Sequence, residues 1–178
     1  SDRPQGVLRV ATTVAFGKAQ IIPLLPDFLA TTPGLKISLE LTDRAVDFVA
    51  QEVDVAIRFS EQLSDPSVIV RRLAPNERVI CAAPAYLARA GRPEKPADLA
   101  AHNCLRLSTV PRWNHWGLKD ETGAEVPIDG DFEASSADAV HRAALAGMGI
   151  ARLSTFLVDR DFEAGRLERL FPDYAQRD

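Results

Sequence analysis

The chain has 178 residues, of which 46% are hydrophobic and 26% charged, a balance typical of a globular protein. Its net charge of −4 argues against a nucleic-acid-binding surface, because such surfaces are normally basic. No apolar run approaches the roughly 20 residues that cross a bilayer, so we expect no membrane contact. The polar start "SDRPQG" lacks Met and a signal peptide. We therefore expect a piece of a longer, cytoplasmic protein.

The first third of the chain alternates between strand and helix patterns. Strands are predicted over 7–12, 35–41 and 53–59, with helices over 16–29 and 44–52 between them. Pro33 and Gly34 are expected to stop the first helix, and Thr42 and Asp43 to cap the second. This order predicts an α/β fold with parallel strand pairing.

The middle of the chain changes character, and its end repeats the opening pattern. Two strands are predicted around Pro75, then a short helix from Pro84, another short helix and strand over 95–107, and a hairpin over 112–130. The hairpin would turn at 121–123 and bury Trp113 and Trp116. Residues 132–154 repeat the opening pattern: a strand, two hydroxyl residues, a helix that ends at a glycine, and another strand. A helix over 154–165 and a strand over 166–171 complete the chain.

Motifs for catalysis and metal binding are missing from the sequence. His102, His115 and His141 have no partner at metal-ligand spacing, and neither a GxSxG elbow nor a P-loop is present. Cys81 and Cys104 fit small core residues better than a redox pair, because reactive thiols need an accessible, electropositive environment. We expect no enzyme, no metal and no cofactor.

Two corners of the chain carry paired hydroxyls where a strand passes into a helix. Thr12 and Thr13 mark the first corner, and Ser135 and Ser136 the second. Each pair can cap its helix or help to bind a small anion, because helix N-termini present free N–H groups at the carboxyl edge of a sheet. We expect Thr12 and Thr13 to do both. Arg58, at the end of a third strand, could add a cation at this edge.

An ordered set of motifs resembles the effector-binding domain of LysR-type transcriptional regulators. The matching stretches are "LRVATTVAFGKAQIIPLLPDFL", "LTDRAVDFV", "VDVAIRF", "CAAPAYL" and "HRAALAGMGIARLSTFLV". The resemblance implies a periplasmic-binding-protein-like fold, with two α/β lobes joined by crossover strands near 72–82 and 150–154. Residues 6–74 and 155–178 would form lobe I, residues 75–154 lobe II, and residues 1–5 a linker remnant.

In this family the effector binds between the lobes. By motif position the implied ligand-binding residues are Thr12, Thr13, Arg58, Phe59, Ser135 and Ser136, with an anionic or polar ligand and Phe59 as its apolar wall. Several positions depart from the usual pattern: Glu52 and Ser60 replace glycines, Ser135 and Ser136 replace Asn or Asp, and Ser154-Thr155 replace Pro-Asp. The effector of a typical relative should therefore not be assumed.

The resemblance also implies partners. We expect a homodimer in which the first helix pairs antiparallel with the helix around 139–147 of the other subunit. DNA would be bound only through an N-terminal winged helix-turn-helix, which this chain lacks. The alternatives are a free-standing solute-binding protein of the same fold, an enzyme such as a hydrolase or transferase, and a thiol redox sensor.

Overall fold

A parallel three-stranded sheet forms the first part of the protein. The computed structural model describes residues 3–59 and 66–177. Strands β1 (Gly6–Thr12), β2 (Leu35–Leu41) and β3 (Val55–Ile57) pair in parallel in the order β2-β1-β3. The three predicted strands and their parallel pairing are thus confirmed, although β3 is shorter than expected. Ser60 lies outside the described residues.

The predicted first helix is a continuous helical segment of mixed geometry. It consists of α1 (Val14–Phe16), a π-helical turn (Gly17–Ile21), a 3-10 turn (Ile22–Leu24) and α2 (Leu25–Thr31). Pro23 and Pro26 cause the irregularity, because neither can donate a backbone hydrogen bond to the preceding turn. The segment ends before Gly34, which adopts a φ of 100°.

The prediction of a second helix over 44–52 is wrong. These residues form turns in which Asp47 Oδ1 accepts hydrogen bonds from the amides of Val49 and Ala50 at 3.1 and 2.9 Å. The aspartate stabilises a local turn in place of a helix start. Glu52 has a φ of 52°, so it occupies the left-handed conformation expected for a position that is usually glycine, at a cost of about 1 kcal/mol.

The second half of the chain is built on a central antiparallel strand. Strand β4 (Glu77–Ala82) pairs with β7 (Ala151–Ser154) on one side and with β8 (Glu168–Leu170) on the other, and its start pairs with β9 (Gln176–Arg177). The strand predicted before Pro75 is absent. Ile69, Val70 and Leu73 are exposed and have no sheet partner there.

The remaining elements follow the sequence pattern with two exceptions. Helix α3 (Pro84–Ala90), strands β5 (Arg106–Leu107) and β6 (Glu133–Ala134), and helices α4 (Ala137–Leu145) and α5 (Thr155–Glu163) are present as expected. The short helix predicted within 95–107 is a 3-10 helix (Pro96–Ala101). The predicted hairpin is reduced to one bridge, Lys119 with Glu125, around the expected turn. The start of the predicted first hairpin strand is instead a 3-10 helix (Pro111–Asn114).

The buried core lies mostly around β4 and β7. One cluster contains Val79, Cys81, Val140 and Leu153, and a second contains Ile80, Tyr86, Trp116 and Leu170. Both tryptophans are buried, as predicted. We call β1–β3 with the helical segment 14–31 the first lobe, and α3, β5, β6 and α4 the second lobe. The domain boundaries inferred from the sequence remain a prediction.

A buried carboxylate joins α4 to α5. Asp161 Oδ2 lies 2.7 Å from His141 Nε2, and Asp161 Oδ1 accepts a hydrogen bond from Arg166 Nε at 2.8 Å. Burial by itself would raise the pKa of Asp161, but the hydrogen bonds from His141 and Arg166 outweigh burial and lower this pKa below its ordinary value.

Candidate functional site

Asp43 connects the starts of two helices that are far apart in sequence. Its Oδ1 accepts a hydrogen bond from the amide of Val14 at 3.0 Å, and its Oδ2 accepts one from the amide of Ala137 at 2.9 Å. The register of β1 and β2 pairs Thr12 with Leu41, so Val14 and Asp43 each lie two residues beyond paired positions. The carboxylate therefore lies at the carboxyl edge of the parallel sheet, where it accepts hydrogen bonds from amides that have no partner within their own helices.

A salt bridge also joins the two lobes near Asp43. Lys18 Nζ of the first lobe donates to Asp138 Oδ2 of the second lobe at 3.0 Å. The side chain of Lys18 is 46% exposed and that of Asp138 is 20% exposed, so water screens the pair. It contributes little energy by itself, but it brings the two lobes together at the same place as Asp43.

A small cavity lies between the lobes next to Asp43. Its volume is about 30 Å³, enough for one or two water molecules. Its walls are mostly apolar, and the polar groups in the lining are Thr13, Asp43, Arg78 and Ser154. The apolar lining residues are Ala15, Phe59, Leu107, Val110, Trp113, Ala137, Leu153, Phe156 and Leu157.

The two threonines are placed at the helix start but do not cap it. Thr13 occupies the N-cap position of α1, so it stands at the helix start as predicted, but its hydroxyl makes no cap hydrogen bond, and a capping role for that hydroxyl is wrong. The Oγ1 atoms of Thr12 and Thr13 are buried without a hydrogen-bond partner. Such groups are rare, because an unpaired buried hydroxyl costs about 1–3 kcal/mol.

Arg58 lies beside Asp43 but does not line the cavity. Its Nη1 donates to the carbonyl oxygen of Thr42, whereas Nε and Nη2 are buried without a hydrogen-bond partner. Burial lowers the pKa of Arg58, and the charge of Asp43 opposes this shift. The first lobe thus holds several buried donors close to Asp43 that lack acceptors.

Phe59 forms one wall of the cavity, and its contact with a ligand stays a prediction. Its ring is parallel to that of Phe156 at a centroid distance of 6.1 Å, and Phe16 meets it edge-on at 6.1 Å. The guanidinium of Arg78 lies 5.4 Å from the Phe59 centroid. A buried cation and an aromatic wall therefore adjoin one another in the cavity.

Ser135 and Ser136 lie outside the cavity lining. Ser136 caps α4, because its Oγ accepts from the amide of Ala139 at 3.2 Å. Ser135 is exposed, and its carbonyl oxygen accepts from the hydroxyl of Thr109 at 3.1 Å. In this form of the protein the second corner is thus a helix cap.

Sequence reasoning missed the bridging role of Asp43. The chain offered one signal: an aspartate two residues beyond a strand adjacent to β1, which therefore reaches the same sheet edge. The local sequence pattern instead favours a helix cap for that carboxylate. Arg78, Trp113 and Phe156 also escaped notice as lining residues, because they come from three distant elements.

The cysteines are poorly suited to thiolate chemistry. Cys81 and Cys104 are both buried free thiols. Burial, together with nearby aspartates, raises the pKa of each to about 12, so both stay protonated near neutral pH. Within residues 3–59 and 66–177, no group of three or more His, Cys, Asp or Glu side chains is arranged to hold a metal ion. No helix in this part of the chain is both long and apolar enough to cross a membrane.

Comparison with known proteins assigns the family. A family model described as the LysR substrate binding domain matches residues 1–178. The chain belongs to the family of LysR-type transcriptional regulators. It is 32% identical over 175 residues to the regulator DmlR of Escherichia coli, covering 97% of this chain and 57% of DmlR. It is 35% identical over 164 residues to CrgA of Neisseria meningitidis, covering 92% of this chain and 54% of CrgA.

Solved structures agree with this assignment. The regulatory domain of CrgA matches 97% of this chain and 84% of that chain, with a TM-score of 0.87 and 32% identity. The regulatory domain of AphB from Vibrio vulnificus matches with a TM-score of 0.76 and 26% identity, over 97% of this chain and 88% of that chain. The predicted periplasmic-binding-protein-like α/β fold is confirmed. This LysR-type chain corresponds to the substrate-binding part and spans little more than half the length of these curated relatives.

Proposed function

We propose that this domain senses a small effector that binds between the two lobes. The observation that carries the proposal is the hydroxyl of Thr13, which is 4% exposed, lines the interlobe cavity and has no hydrogen-bond partner. A buried donor in such a position is explained if a ligand accepts from it. The unpaired groups of Thr12 and Arg58 in the same lobe support the same conclusion.

The site residues divide between the lobes. Thr12, Thr13, Arg58 and Phe59 form the first-lobe side in this proposal. Ser135 and Ser136 follow β6 at the second corner and come into reach of a ligand once the lobes separate. The ligand is anionic or polar, and its apolar part packs on the aromatic wall.

In the full-length regulator, we propose that effector binding controls DNA binding by an N-terminal domain. The relatives named above are transcriptional regulators about twice as long as the matched region. We also propose a cytoplasmic homodimer. The exposed apolar residues Ile22, Leu24 and Phe28 on the helical segment support it, because a second subunit would cover them. In this proposal the domain binds its effector and catalyses no reaction.

A thermal-shift screen of small carboxylates and polar metabolites tests the effector site. A ligand at 100 times its dissociation constant stabilises the fold by about 2.7 kcal/mol. For a domain of this size each kcal/mol raises the melting temperature by about 2–4 °C. Any hit is repeated with Thr13→Val, which keeps the shape of the side chain and removes the hydroxyl. Thr31→Val is the matched control, because the hydroxyl of Thr31 donates to the carbonyl of Phe28 on the exposed helix.

We expect Thr13→Val to reduce the ligand-induced shift and Thr31→Val to leave it unchanged. An undiminished shift in Thr13→Val would place the effector elsewhere in the protein.

A further inference from the structure

The chain supplies its own anion at the junction between the lobes. Asp43 accepts hydrogen bonds from Val14 in the first lobe and from Ala137 in the second, and its side chain is 4% exposed. We propose that Asp43 is an interlobe latch, an internal anion that holds the two lobes closed and that an effector must release to enter. This inference rests on the proposed effector site and assigns its regulation.

The size of the cavity makes release of the latch necessary. With both hydrogen bonds formed, the cavity of about 30 Å³ accommodates only one or two water molecules. The lining includes Ala137 on one side and Thr13 on the other, so a larger cavity requires the start of α4 to move away from the first lobe. That movement breaks the bond between Ala137 and Asp43.

The latch also affects which ligands can bind. An amide at the start of a nine-residue helix, here α4, is a favourable partner for an anion. Because Asp43 already occupies it, an anionic effector group must compete with a carboxylate that is covalently held in place. Asp43 therefore sets both the affinity and the charge preference of the site, as a positioning residue that acts through closure.

Arg58 gives the released carboxylate an alternative partner. The guanidinium is anchored to the carbonyl of Thr42, the residue before Asp43, and two of its nitrogens are buried without a hydrogen-bond partner. Once the bond to Ala137 is broken, a turn of the Asp43 side chain toward these donors would offset that loss and the loss of the bond to Val14. The latch then has two discrete arrangements, as a two-state switch requires.

Two variants break the latch from opposite sides. Asp43→Ala removes the carboxylate. Ala137→Pro removes the donor, and proline suits this place because Ala137 is the first residue of α4 and Ser136 before it is extended, with φ −139° and ψ 146°. Asp47→Ala is the control for the first variant, since the hydrogen bonds of Asp47 with Val49, Ala50 and Gln51 are confined to its own turn. Ala137→Gly, which keeps the N–H, is the control for the second.

The measurement is the distance between spin labels on cysteines introduced by Lys36→Cys in β2 and Ala124→Cys in the second half. Both positions are exposed, and the two native thiols are buried, so labelling is directed to the introduced sites. We expect Asp43→Ala and Ala137→Pro each to increase the open population about tenfold, the effect of losing one to two hydrogen bonds. Both controls should keep the parent distance distribution.

Acetate distinguishes a latch from a merely structural residue. Added to Asp43→Ala, it should fill the vacated place between the two amides and restore the short distance, whereas Ala137→Pro should not respond. An unchanged distance in both variants overturns the proposal, and so does opening that acetate fails to reverse in Asp43→Ala. If Asp43→Ala does not fold, Ala137→Pro against Ala137→Gly decides the matter. These measurements need no effector, so they can fail or succeed independently of the proposed effector site.

Discussion

Replacing Thr13 by valine should raise the stability of the ligand-free protein. The Oγ1 of Thr13 is buried without a partner, so the folded state bears the desolvation of that hydroxyl with no hydrogen bond in return. Valine has nearly the same shape, and the backbone at this position is extended, with φ −64° and ψ 153°, which suits a β-branched residue.

The size of the effect follows from the environment of the hydroxyl. An unpaired buried polar group costs about 1–3 kcal/mol, and the partial access of water to the cavity favours the lower end. We therefore expect Thr13→Val to gain about 1 kcal/mol of unfolding free energy. For a chain of this length such a gain raises the melting temperature by about 2–4 °C.

Urea denaturation and calorimetry at neutral pH measure this change, and Ser136→Ala provides the opposite case. The hydroxyl of Ser136 accepts from Ala139, so its loss should cost about 1 kcal/mol. A loss of stability in ligand-free Thr13→Val would refute the reasoning, because it would mean that the Thr13 hydroxyl is already hydrogen-bonded in solution.

Three further predictions concern other parts of the domain. The lowered pKa of Asp161 means that this carboxylate stabilises the fold fully above the ordinary carboxyl pKa, and that the stabilisation is lost as the pH falls through the lower pKa of the folded state. The difference in unfolding free energy between the parent and Asp161→Asn should therefore shrink on acidification. A difference that stays constant with pH would contradict this. Cys81 and Cys104, with pKa values of about 12, should not react with a thiol reagent at pH 7 until the protein is unfolded; rapid modification of the folded protein would revive the redox alternative. Phe28→Asp should shift a dimer toward monomer in sedimentation at micromolar concentration, whereas Thr31→Val, on the same helix, should not; an unchanged dimer would place the interface elsewhere.

The first lobe shows why a partner is expected for this domain. None of the residues from Ile22 to Thr31 is buried, and Leu24 is 65% exposed. The two core clusters lie around β4 and β7 and do not include residues 22–31. The apolar face recognised in the sequence is therefore real, but it is not part of the core of the single chain.

The sequence by itself determined the features that depend on near neighbours. Alternation predicted β2 at its observed bounds, and Pro33 with Gly34 predicted the end of the first helical segment. The pattern places Ser136 at a helix start and a glycine at the exit of that helix, where Gly147 has a φ of 76°. These outcomes depend on backbone sterics and hydrogen bonds within a few residues, which the local sequence specifies.

Only the tertiary structure decided the partners of Asp43 and the size of the cavity. Val14 is 29 residues from Asp43 and Ala137 is 94 residues away, so no local pattern brings them together. Strand register and the approach of α4 create that contact. Without those donors the local sequence pattern favours a helix cap at 44–52 for this carboxylate, whereas the folded chain offers it two backbone amides from distant elements. A buried carboxylate is stable where its hydrogen bonds are satisfied, and here only the assembled fold supplies them.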